Sequence, residues 1–193
     1  MKANSIPSFA AAVFFIALFP EPSLCGPVED AYRSIPHKQT TYSAGKSKLL
    51  STNSKAVEKV LALSDQALVE RVEAGAWLLS GGTRGRNFSD YESRIKAIVA
   101  ELESLKTPES LEPAKRLIIE AIEDQRIFLV QQFKLAYASK GYRWPADYRD
   151  DPNIQRAHMK LIQAHQILTQ AYPEEGSHNK DAFFDHLCAL DYL

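Results

Sequence analysis

Residues 88–105 read FSDYESRIKAIVAELESL, and this stretch decides the fold class. Its apolar side chains recur at steps of three and four residues, at positions 88, 91, 95, 98, 102 and 105. Such a period places them on one face of an α-helix and leaves the charged residues on the other face. Ser89 and Glu92 have the spacing of a capping box, so the sequence predicts that the helix begins at Ser89.

The same period continues through the rest of the chain, and no sustained alternation of β-branched residues indicates a strand. Helical patterns cover residues 54–79, 113–139, 152–172 and 179–190, with approximate bounds, and a further helix begins at residue 89. The connections between them are fairly short, which favours antiparallel neighbours. We therefore predict an all-α fold: an antiparallel up-and-down bundle of four main helices, a short C-terminal helix and an extended N-terminal strap.

The first 25 residues have the layout of a secretory signal peptide. A lysine precedes an apolar run from Ile6 to Phe19, and we expect cleavage between Cys25 and Gly26. This run is shorter than the roughly 20 apolar residues of a spanning helix. A lipid anchor on Cys25 is the alternative, although Leu24 is bulkier than the small residue that such processing requires. The mature chain is thus expected to be secreted or periplasmic and to lack a membrane span.

Residues 26–53 are predicted to form the strap and a linker, and residues 54–193 the helical domain. The net charge is −1, with acidic and basic residues interspersed, so nucleic acid and anionic membranes are poor default partners. Removal of residues 1–25 leaves Cys188 as the single cysteine, which excludes an intramolecular disulfide. The helical domain must therefore be stable through its core alone.

The strap, residues 32–43, reads YRSIPHKQTTYS and is rich in polar and aromatic side chains. Proline disfavours the helical conformation at the residue before it, so an extended segment is expected around Ile35. Tyr32, His37 and Gln39 are candidate binding residues. The alternative is that the strap serves only to pack against the bundle.

A second group of candidate binding residues lies in the loop 141–152, GYRWPADYRDDP. Tyr142, Trp144 and Tyr148 are of the types that dominate recognition surfaces. The alternative is that these rings cover one end of the bundle.

Asp65 and Arg126 are charged residues that fall on apolar stripes of two predicted helices. A buried charge without a partner costs several kcal/mol, so we predict that the two residues pair across facing helices. Three interpretations are open: an ion pair near the bundle surface, the polar floor of a pocket with Glu123 and Gln125 nearby, and no contact between the two residues.

No cofactor or metal is expected from the sequence. His158 and His165 lie two helical turns apart, roughly 10.5 Å, which is too far for one metal ion. Cys188 lies in an apolar stretch that favours an inert thiol. Asn87 begins an N-glycosylation pattern, which matters only in a source that glycosylates secreted chains.

These patterns favour a binding or accessory protein that recognises a protein or a small ligand. Two alternatives remain: a periplasmic enzyme with a carboxylate and arginine site inside the bundle, and a structural envelope protein without a ligand.

The signal-like layout yields a first prediction: protein recovered from its native host begins at Gly26. Intact-mass spectrometry checks this, because cleavage there removes 25 residues. Retention of residues 1–25, or the added mass of a lipid on Cys25, would contradict the prediction.

Overall fold

The computed structural model describes residues 40–192 together with Ala31, Arg33 and Ile35. All regular structure in this part of the chain is helical, which confirms the all-α prediction. Two short 3₁₀ turns are formed by Ala44–Lys46 and Tyr148–Asp150. The α-helices are α1 (Ser51–Leu79), α2 (Phe88–Ser104), α3 (Glu112–Ala138), α4 (Pro152–Ala171) and α5 (Ser177–Asp191).

The five helices form a bundle in which each helix packs against the next one along the chain. The contact between α3 and α4 is the most extensive, and α1 also touches α3. The last helix, α5, packs against both α4 and α1. Large apolar side chains from every helix fill the centre, among them Leu68, Leu102, Phe128, Leu161 and Phe183.

Most helix boundaries follow from local sequence. Gly81 and Gly82 have positive φ angles directly after α1, as expected for glycines that end a helix. Asp151 caps α4 by accepting from the backbone N–H of Asn153. The predicted cap of α2 was wrong, because its N-cap is Asn87, whose side chain accepts from the N–H of Asp90. Ser89 lies inside the first turn of α2 instead.

The sequence of α1 predicts an apolar stripe that is correct in its first half and displaced in its second; its members are Val57, Leu61, Leu68, Val72 and Leu79. Leu61 and Leu68 are fully buried, but Leu79 is 70 % exposed. The neighbouring positions Arg71 and Leu78 face the interior instead. A straight helix drifts against a repeat of seven residues, so the buried face moves by one position over such a length.

The strap is described only in part. Arg33 has helical backbone, so the extended strap does not include it. Proline restricts Ile35, the residue that precedes it, and leaves earlier residues free to be helical. From Thr40 to Ser43 the chain is not helical, and Ser43 has extended φ and ψ angles. The signal-like segment and the candidates Tyr32, His37 and Gln39 lie outside the described residues.

Within residues 40–192, none of the helices combines the length and the apolar composition that crossing a membrane requires.

The loop between α1 and α2 folds back along the end of α1. The backbone N–H of Arg86 donates to the carbonyl of Glu73 at 3.0 Å. Gly85 has a φ of +77°, and a Cβ atom there would overlap the Glu73 carbonyl oxygen and lie 2.8 Å from the backbone nitrogen of Trp77. Glycine is therefore required at position 85 both by conformation and by close approach.

Gly85→Ala and Gly141→Ala test this requirement as a matched pair. Both glycines have positive φ, but a Cβ at Gly141 would meet nothing within 4 Å. We expect Gly141→Ala to lower the unfolding free energy by about 1 kcal/mol, the cost of the left-handed conformation alone. Gly85→Ala should lose about 2 kcal/mol more, because the overlap has to be relieved by moving backbone. Equal losses in urea unfolding would show that the close approach does not exist.

Candidate ligand-binding site

The predicted pair of Asp65 and Arg126 is not formed. Arg126 bridges α2 and α3 by donating to Glu92 at 2.9 Å and to Glu123 at 2.8 Å. Asp65 lies on α1, where its carboxylate contacts the imidazole of His186 on α5 at 2.7 Å. Both charges have partners, as expected from the cost of burying an unpaired charge. Asp65 pairs with α5 instead of α3, and Arg126 pairs with residues of α2 and α3 instead of α1.

His186 links α1, α5 and the strap. Its Nε2 accepts a hydrogen bond of 3.0 Å from the backbone N–H of Tyr42. Since Nε2 accepts, the ring proton of the neutral form is on Nδ1, which donates to Asp65. The arrangement has the Asp-His part of a catalytic triad, but the nitrogen that would act as the base is occupied by the strap. It stabilises the fold rather than offering a base to a substrate.

Further side chains at the start of α5 bind the backbone of the strap. Asn179 accepts from the N–H of Ser43 and donates to its carbonyl, both at 3.1 Å. Glu175 accepts from the hydroxyls of Tyr42 and Ser47 and from the N–H of Lys48. We call this set of contacts between residues 40–48 and residues 175–186 the strap seam.

The strap seam continues with Asp185, which accepts from the N–H of Thr40 at 2.6 Å. The Tyr42 ring stacks on Phe183 with the centroids 5.8 Å apart. The described part of the strap is therefore tightly packed against α5. The sequence contains a signal for this contact, because Glu175, Asn179 and His186 recur at helical spacing on an otherwise apolar face. The pattern does not indicate which segment of the chain these polar side chains contact.

Residues 141–152, which we call the aromatic loop, pack on α3 through successive contacts between rings. The Trp144 ring meets Phe128 edge-on at 5.6 Å, and Tyr148 meets Trp144 at 5.9 Å. The hydroxyl of Tyr142 donates to Gln132 at 3.0 Å. All three aromatic residues that were candidates for binding are partly buried against the core. Trp144 and Tyr148 also line two different open pockets, and the lining of the pocket beside Trp144 is the more apolar.

This pocket, which we call the Trp144 pocket, has a volume of about 400 Å³. It lies between the second half of α1, the aromatic loop and the end of α5, and its volume is in the range of small-molecule sites. Its apolar wall is formed by Val72, Gly75, Ala76, Leu79, Trp144 and Tyr192.

Gly75 leaves space in the wall of the Trp144 pocket. It lies in the interior of α1, where glycine is less favourable than alanine by about 1 kcal/mol. A Cβ atom added at this position would meet no atom of the described residues within 4 Å. A larger residue would therefore fit the helix better and would reduce the empty volume.

The charged residues that line the Trp144 pocket are both arginines, Arg71 and Arg84, and none of the described lining residues is acidic. Arg71 is 3 % exposed, and its Nη2 donates to the carbonyl of Ala189 near the end of α5 at 2.9 Å. Its Nε and Nη1 are buried without a hydrogen-bond partner. Burial lowers the pKa of Arg71 to about 10, so the side chain remains charged at neutral pH.

Sequence reasoning missed Arg71. Like Asp65 and Arg126, Arg71 is a charged residue on an apolar stripe of a predicted helix. Arg71 follows Leu68 by three residues and precedes Gly75 by four, so it shares their helix face. It was passed over because the stripe was read through Val72, one position away.

The described histidines do not converge on a metal site. His158 contacts Asp191 at 2.5 Å, whereas the His165 ring packs edge-on against Phe184 at 5.7 Å. Burial lowers the pKa of His165 and raises that of the partly buried Cys188. Among the described residues, no group of three or more potential ligands lies close enough to hold a metal ion.

Comparisons with protein-family models, with curated proteins and with solved structures found no match for this chain.

Glu175→Gln tests the strap seam through pH. Burial opposes ionisation of Glu175, but hydrogen bonds from Ser47, Asn179 and Lys48 outweigh it and lower the pKa of the carboxyl. Its contribution to stability is therefore complete above the unfolded pKa of about 4.3 and is lost as the pH falls below it. At pH 7 the variant should be less stable than the wild type by on the order of 1 kcal/mol.

Urea unfolding at pH 7 and at pH 3 measures this difference. The exposed neighbour Glu174 supplies the control, since Glu174→Gln should change the unfolding free energy at neither pH. A Glu175→Gln effect of the same size at both pH values would mean that the carboxylate charge contributes nothing to the seam.

Proposed function

We propose that this chain is a binding protein whose ligand is a small, largely apolar molecule held in the Trp144 pocket. The observation that carries the proposal is an apolar pocket of about 400 Å³ whose wall includes a glycine in the interior of α1. Ligand pockets in proteins are mostly apolar, concave and largely pre-formed.

The apolar wall supplies the affinity. Burial of apolar ligand surface is favourable by about 25 cal/mol per Å². Trp144 contributes a large ring whose contacts with Phe128 and Tyr148 fix its position. A pre-positioned ring loses little conformational freedom on binding, so more of the burial energy remains as affinity.

Gly75 is best explained by the same function. A helix interior under selection for stability alone favours alanine over glycine. The open space at position 75 has no structural use in the described part of the chain, because nothing packs into it. A ligand that occupies the pocket would use that space.

The proposal includes export, which the signal-like layout of residues 1–25 supports. The alternative of an enzyme site built from Asp65, Glu123 and Arg126 has less support, because Asp65 pairs with His186 and Arg126 with acidic residues of α2 and α3. Neither Asp65 nor Arg126 lines the Trp144 pocket.

Binding of the neutral fluorescent probe N-phenyl-1-naphthylamine tests the proposal. The probe should bind the wild-type chain with an increase in fluorescence. Gly75→Leu should weaken this binding at least tenfold, because the new side chain enters the pocket. The variant should be as stable as the wild type or more stable, since leucine is the better helix former.

Ala100→Leu is the matched control, because Ala100 is an exposed helical position on α2 and outside the pocket. It should leave probe binding unchanged. If the probe does not bind the wild type, or binds Gly75→Leu equally well, the Trp144 pocket is not the site.

A further inference from the structure

We propose that the ligand of the Trp144 pocket is an amphiphile with an apolar chain and a single anionic head group, and that Arg71 binds the head group. This inference rests on the proposed function and specifies the class of ligand.

The charge of the lining is the first support. Arg71 lines the buried part of the pocket and Arg84 an exposed part, while the remaining lining residues are uncharged. At Arg71 an anionic group would meet opposite charge and a cationic group would meet like charge, and no described lining residue is acidic.

The hydrogen bonding of Arg71 is the second support. Buried polar groups in proteins nearly always have a partner, and exceptions call for an explanation. The Arg71 guanidinium has one bond, to the carbonyl of Ala189, while Nε and Nη1 have none. An acceptor that arrives with the ligand would explain why two donors are unused.

An anionic acceptor fits Arg71 better than a neutral one. A buried cation needs charge compensation as well as hydrogen bonds. Asp191 acts on Arg71 at longer range but forms no ion pair with it. Hydrogen bonds between a guanidinium and a carboxylate are roughly twice as strong as those between neutral groups.

The inference includes a small movement of Arg71. Its Nε and Nη1 are covered from solvent. The guanidinium must turn toward the pocket to meet the head group. The bond to Ala189 is the contact that this rotation would strain or break.

The experiment compares three ligands that share a ten-carbon chain and differ in charge: decanoate, decan-1-ol and decyltrimethylammonium. Each is titrated into the full wild-type chain at pH 7.5, below its micelle concentration, with displacement of N-phenyl-1-naphthylamine as the readout. We expect decanoate to bind at least tenfold more tightly than decan-1-ol, and the ammonium ligand to bind most weakly.

Arg71→Met assigns the preference to one residue. The variant keeps an unbranched, largely apolar stem and removes the charged guanidinium, so the ratio of decanoate to decan-1-ol affinity should fall to about one. Arg116→Met is the control, because Arg116 is an exposed residue of α3 outside the pocket, and it should leave the ratio unchanged. If Arg71→Met does not fold, Arg71→Lys replaces it and should retain part of the preference.

The outcomes separate this inference from the proposed function. Equal affinities for decanoate and decan-1-ol in the wild type would overturn the inference and leave the pocket as a site for neutral molecules. A preference for decanoate that survives in Arg71→Met would remove Arg71 from its role. If neither ligand nor probe binds and sedimentation shows a dimer, the pocket is a contact between two copies and both proposals fail.

Discussion

The contact between α1 and α5 positions both the strap and the Trp144 pocket. Two polar links hold it: Asp65 to the His186 imidazole, and Arg71 to the carbonyl of Ala189. Asp65 and Arg71 lie about 9 Å apart along α1, so the links fix both the spacing and the register of the two helices. The strap packs beside the first link, and the Trp144 pocket opens beside the second.

The two ends of this contact differ in how completely their polar groups are satisfied. At the strap seam, Glu175, Asn179 and His186 all bond to the strap, and the described groups are closely packed. At the pocket, Arg71 keeps unused donors and Gly75 keeps unused space. Such an imbalance is costly for stability, and proteins tend to tolerate it where a ligand completes the structure.

The sequence predicted the helices well because their period and their terminal glycines are local signals. Partners could not be predicted in the same way. Asp65 and His186 are 121 residues apart, and no local pattern states which of several polar residues will face a given charge. The aromatic loop was predicted from composition, yet only its packing shows that Trp144 lines the pocket. The sequence also contained a signal for Arg71, but the predicted apolar stripe of α1 passed through Val72, the next residue.

The strap seam also sets an order of events in folding. Thr40 bonds to Asp185, a partner 145 residues later in the chain. During synthesis the strap emerges early, but it cannot dock until the last helix has been made. Contacts of such long sequence separation carry a large loop-closure cost and form late. Docking of residues 40–48 onto α5 is therefore expected to be the closing step of folding.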